Sequence, residues 1–175
     1  MSTIKTNAIQ TVAGKPILNS TGSILQIVQT VKTDGYGQNG GWTDVPGLSL
    51  NITPSSTSSK ILIMCIIGCT STNGTGSVAY RLYRNAVLIA SGDPVNSSVG
   101  VLVRAAGMIN SDHGASDSNT YLDSPATTSP ITYKIQMLVQ SGFGAYLNRD
   151  YTGNNTSEPY GSRTISTLTA WEVSA

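Results

Sequence analysis

Charge is scarce in this sequence: 11% of its 175 residues are charged and the formal net charge is +1. Neutralising a phosphate backbone takes clustered Lys and Arg, and the ten basic residues here are scattered, so nucleic acid is excluded as a partner. No apolar run approaches the length that spans a bilayer, and the first thirty residues lack the charged start and apolar segment of a signal peptide. The expectation is a chain made inside a cell and not held in a membrane. Histidine occurs once, at His113, and cysteine twice, at Cys65 and Cys69. That leaves no paired Cys/His set for a metal. Placed on one strand, the two cysteines would share a face about 13 Å apart, too far for a disulfide, so they read as small buried hydrophobes. Reduced thiols fit synthesis in a cytoplasm.

Helical periodicity is also missing. In its place are short β signals separated by Gly, Ser, Asn and Asp, at 24–32, 48–53, 61–69, 78–83, 87–90, 101–109, 120–122, 131–140, 145–148 and 163–173. Alternation is clearest where Ile131, Tyr133, Ile135, Met137 and Val139 oppose Thr132, Lys134, Gln136 and Gln140. Arg84-Asn85 reads as a hairpin tip, since Asn tolerates the left-handed backbone of such turns. In the last segment Ile165, Thr167, Thr169, Trp171 and Val173 share a face, and a strand there is expected inside its sheet. This spacing predicts an all-β fold, an antiparallel jelly-roll-like sandwich at residues 23–175. Residues 1–22 are polar with isolated apolar positions at Ile4, Ile9, Val12, Ile17 and Leu18, and read as an extended attachment arm.

One strand departs from the half-wet pattern. In Lys60-Ile-Leu-Ile-Met-Cys-Ile-Ile-Gly-Cys69, Ile61, Ile63, Cys65, Ile67 and Cys69 are expected to point one way and Leu62, Met64 and Ile66 the other. The first set can fill a sandwich core. The second needs its own cover, and another copy of the chain is the expected source, so Leu62, Met64 and Ile66 are candidate oligomer contacts.

Motifs of chemistry are weak. Gly35-x-Gly37-x-x-Gly40 has the spacing of a dinucleotide fingerprint, but Gly41-Trp42-Thr43-Asp44-Val45-Pro46 cannot open the helix that would hold a pyrophosphate, and a loop is expected. Ala13-Gly14-Lys15-Pro16 lacks the hydroxyl residue of a P-loop. Ser111-Asp112-His113 comes without a strand-to-helix G-x-S-x-G elbow. Asp112, Asp117, Asp123 and Asp150 form no calcium-loop spacing and read as turn residues. No enzyme, cofactor or metal site is expected. The loops 34–47, 92–100, 110–119 and 151–162 are where binding is expected, with Tyr36, Trp42, Tyr151 and Tyr160, and Tyr146 beside them, as residues that could stack on host-surface glycan.

Two stretches carry a resemblance. Ile4-Lys5-Thr6-Asn7-Ala8-Ile9-Gln10 through Pro16-Ile17-Leu18, then Gly22-Ser23-Ile24-Leu25-Gln26-Ile27-Val28-Gln29, resembles the start of small virion proteins from tailed phages of marine bacteria, cyanophages especially. Tyr121-Leu122-Asp123-Ser124-Pro125, Ile131-Thr132-Tyr133-Lys134, Asn148-Arg149 and Ser166-Thr167-Leu168-Thr169-Ala170-Trp171-Glu172-Val173 resemble the same group. The resemblance implies a C1q- or TNF-like jelly roll that forms a homotrimer, used in tail fibres, knobs or capsid decoration. It implies a virion structural protein made in the host cytoplasm, held to other virion proteins by its arm and serving host adsorption. The alternatives are a decoration (cement) protein stabilising the head and a carbohydrate-binding module for host polysaccharide.

Overall fold

The structure, a computed structural model, describes residues 21–105, 114–152, 159–161 and 163–175. The arm residues Ile4, Ile9, Val12, Ile17 and Leu18, and the Ser111-Asp112-His113 run, lie outside the described residues.

Among the described residues the strands are β1 (Ile24–Lys32), β2 (Tyr36–Gln38), β3 (Thr43–Ile52), β4 (Lys60–Thr72), β5 (Val78–Arg84), β6 (Val87–Ile89), β7 (Val103–Ala105), β8 (Ala115–Asp123), β9 (Ile131–Val139), β10 (Ala145–Leu147) and β11 (Ser166–Val173), with one 3-10 turn at Pro159–Gly161. They form two antiparallel sheets. In the first, β4 is the spine: β8 lies along one side, β11 and then β10 along the other, with β1 beyond β11 and β2 beyond β10. The second runs β3-β9-β5, with β6 and β7 sharing the far side of β5. The layers β1-β11-β4-β8 and β3-β9-β5-β6 make a jelly-roll-like sandwich, as the strand spacing predicts.

The core lies where inward residues of both sheets meet. Ile61, Ile63, Cys65, Ile67, Leu168 and Ala170 come from the first sheet, and Leu50, Tyr80, Leu82, Tyr133, Ile135 and Met137 from the second. The expected hairpin is present: Arg84 pairs with Val87, and Asn85, at φ 52°, takes the left-handed backbone. Asn85 also ties the tip to β9, its N–H donating to the Thr132 carbonyl and its Oδ1 accepting from the Thr132 N–H.

Several boundaries differ from the sequence reading. Residues 36–38, expected in a loop, form β2, because pairing with β10 (Tyr146 opposite Gly37) supplies the ladder that their glycine-rich sequence does not advertise. β8 begins at Ala115, not 120, and Asp117 and Asp123 lie in it, not in turns. β3 starts at Thr43 and runs through Pro46 and Gly47 by an irregularity between Asp44 and Ser49.

The two cysteines do not share a face. Ile67 pairs with Asp117 but Thr70 with Ala115, which leaves one extra residue on β4, a bulge at Gly68-Cys69. Beyond it the alternation is shifted, and Thr70, not Cys69, reaches inward, its Oγ1 2.7 Å from the Tyr80 hydroxyl. Cys65 is buried and Cys69 half-buried, both unpaired. A Cβ on Gly68 would lie 2.5 Å from Asn148 Oδ1 and 2.6 Å from the Ile165 carbonyl. Around the bulge, Asn148 Nδ2 donates to the carbonyls of Lys32 (3.0 Å) and Asp34 (3.2 Å), and Oδ1 accepts from Ser166 Oγ (2.7 Å). Ser166 Oγ accepts in turn from the Gly68 N–H at 2.9 Å.

Two buried carboxylates cross between elements. Asp123, on β8, is 4% exposed; it pairs with Arg84 of the other sheet at 2.9 Å and accepts from the Tyr133 hydroxyl at 2.6 Å. Glu172, on β11, is 1% exposed and accepts from the Ser55 N–H and Oγ, both at 2.7 Å, and from Gln26 Nε2 at 2.6 Å. Burial alone would raise the Glu172 pKa, but these hydrogen bonds outweigh it and hold it down at about 2.

Candidate functional site: an apolar sheet face and a tyrosine cavity

Because residues opposite each other in an antiparallel ladder point to the same side, the register assigns the outer face of the first sheet. One row across four strands reads Leu122, Leu62, Trp171, Ile27. The next reads Thr120, Met64, Thr169, Gln29, and the third Ser118, Ile66, Thr167, Val31. Ile27 is 56% exposed, Leu122 54%, Ile66 48% and Val31 47%. Leu62 and Met64 are half-buried, screened by these neighbours. The three residues expected to face outward therefore do so. Trp171, Leu122, Ile27 and Val31 extend the same patch; the alternation around Trp171 was visible in the sequence, but which strands flank it was not.

The outer face of the second sheet is of the opposite character. Asp44 accepts from Lys134 at 2.8 Å and from Gln136 at 2.7 Å, and these bonds lower its pKa. Thr132 donates to Asn51 at 2.6 Å. The Arg81 guanidinium covers the Trp42 ring at 3.8 Å. The first sheet's outer face, with its Leu122-Leu62-Trp171-Ile27 row, is thus the more apolar of the two.

Three of the residues expected to stack on glycan, Tyr36, Trp42 and Tyr151, are not brought together. Tyr36 packs half-buried against the core, with the Lys32 ammonium 5.9 Å from its ring centroid. Trp42 is taken up by Arg81 on the second sheet. Tyr160 falls in the 3-10 turn. Tyr151 lines a cavity of about 260 Å³, together with Gly37, Gln38, Asn39, Gly144, Ala145 and Tyr146. The rings of Tyr146 and Tyr151 are 5.4 Å apart and tilted 58°, and the Arg149 guanidinium lies 3.9 Å from the Tyr146 centroid.

No protein-family model matches the chain, and no curated protein matches it. Among solved structures it is similar to chains of infectious bursal disease virus. For the VP2 subviral particle the TM-score is 0.44 at 13% identity, covering 96% of this chain and 43% of that one. For the virus-derived T=1 particles the values are 0.44 and 14%, covering 96% and 41%. For the Gx strain they are 0.41 and 14%, covering 96% and 43%. The chain therefore spans under half the length of these chains. Likeness at this level carries no functional argument, and the sandwich stands on its own strand register.

Among the described residues no group of three or more His, Cys, Asp or Glu is placed to hold a metal, and no helix is long and apolar enough to cross a membrane. Asp123 is engaged by Arg84 and Tyr133, while Asp117 is half-buried on β8, its pKa raised by burial.

Proposed function

We propose that this chain is a structural protein of a phage particle: a surface-exposed fibre or knob module that assembles as a homotrimer and takes part in host attachment. The observation that carries this reading is the contrast between the two outer faces. The polar face of the second sheet is satisfied by its own ion pair and hydrogen bonds, whereas the Leu62–Trp171 row and its neighbours leave large apolar side chains without cover among the described residues. A contiguous apolar patch of this kind marks an interaction surface, and further copies of the chain are the cover. The count of three, the virion and the phage host follow from the sequence resemblance. Residues 1–22 serve as the arm that holds the subunit to other virion proteins.

The test has two parts. Light scattering on the purified protein is expected to give three times the subunit mass, and a stable monomer at high concentration would overturn the assembly. Imaging of labelled chain on intact particles is expected to place it on a tail or head fibre. Label spread over the head shell would instead identify a decoration protein. Deleting residues 1–22 should leave the sandwich folded and abolish incorporation.

A further inference from the structure

We infer that the cavity lined by the paired strands β2 and β10 and by Tyr151 is a binding site for one pyranose ring of a glycan, with Tyr151 as the stacking surface. The inference goes beyond the virion role and holds for the isolated protein. The ring of Tyr146 is fixed before any ligand arrives. It lies so close on β2 that a Cβ at Gly37 would be 2.2 Å from its Cε1, and the Arg149 guanidinium rests 3.9 Å from its centroid. Gln38 is fixed too, its Nε2 donating to the Met137 carbonyl at 2.7 Å and its Oε1 accepting from Thr43 at 2.9 Å. A wall set in advance lowers the ordering cost of binding. Tyr151 meets this wall at a tilt of 58°, and the exposed Asn39 at the rim brings a carboxamide that can donate to and accept from hydroxyls.

Size and chemistry select the occupant. At about 260 Å³ the cavity is smaller than the ~300 Å³ at which pockets for drug-sized ligands begin, so it suits one small ring. A pyranose offers an apolar C–H face to an aromatic ring and hydroxyls around its edge, which matches tyrosine rings beside amide groups. β10 pairs with residues 70–72 of β4, roughly 13–20 Å along the strand from Ile66, so the site lies beyond the end of the apolar rows.

The experiment uses the full chain on an array of neutral and uronate-bearing oligosaccharides, followed by calorimetry with any that bind. Binding of a pyranose glycan is expected, with Tyr151→Ala weakening it about tenfold, the size of one lost aromatic contact. Tyr151→Phe should keep most of the affinity and Trp42→Ala all of it. Asn39→Ala, at an exposed position, should weaken binding without altering thermal unfolding, which keeps the test decisive if Tyr151→Ala destabilises the fold. Light-scattering mass should be the same for all variants. No binding to any pyranose on the array, or wild-type affinity in both Tyr151→Ala and Asn39→Ala, would overturn the inference and leave the assembly reading intact.

Discussion

Ile66→Asp tests the apolar face most directly. Ile27, Val31, Ile66 and Leu122 are each about half exposed in the subunit. Covering the remaining half of each recovers about half of the ~1.5–3 kcal/mol that full burial of such a side chain is worth, so the four contribute about 3–6 kcal/mol per subunit before association costs. An Asp at position 66 removes about 1 kcal/mol of this and leaves an unpaired carboxylate in a drying contact, which costs several kcal/mol more. A net loss of ~3 kcal/mol lowers the association constant more than a hundredfold. Sedimentation over a concentration series should show the variant dissociating where the wild type holds together. Ser49→Asp, on the exposed outer face of the second sheet beside Lys134, should leave the mass unchanged. If Ile66→Asp sediments like the wild type at every concentration, the face is not an interface.

Three further outcomes are expected. Asp123→Ala should destabilise the sandwich by about 3–5 kcal/mol, because Arg84 is left without its buried partner, and Tyr133→Phe by about 1–3 kcal/mol; urea unfolding reads both. The Glu172 pKa is depressed on folding, so its contribution is full above the ordinary glutamate value of 4.5 and is lost as pH falls toward about 2. Thermal unfolding across that window should therefore fall more steeply in the wild type than in Glu172→Gln. Gly68→Ala should lower the melting temperature markedly, since its Cβ meets Asn148 Oδ1 and the Ile165 carbonyl, whereas Gly40→Ala, with nothing within 4 Å, should be close to neutral.

How much of this was legible in the sequence depended on whether the signal was local. The alternation of Ile131 to Val139 marks β9 because one face is core and the other is wet, and the doubly apolar run at β4 shows which residues point outward. β8 begins five residues before its expected start because Ala-Ser-Asp-Ser-Asn is polar on both faces; only pairing with β4 makes it a strand. The fate of Trp42 was likewise hidden, since Arg81, which covers its ring, comes from a distant part of the chain.

β4 has one more consequence. An ordinary half-buried strand is self-indexing: slide it by one position and grease meets water, so the error corrects itself. With Ile61, Ile63 and Cys65 on one side and Leu62, Met64 and Ile66 on the other, such a slip exchanges one oily set for another and hydrophobicity hardly objects. The kink at Gly68 and the Asn148–Ser166 clasp that grips it then act as the ruler's zero mark, a polar stop that tells the central strand where to halt.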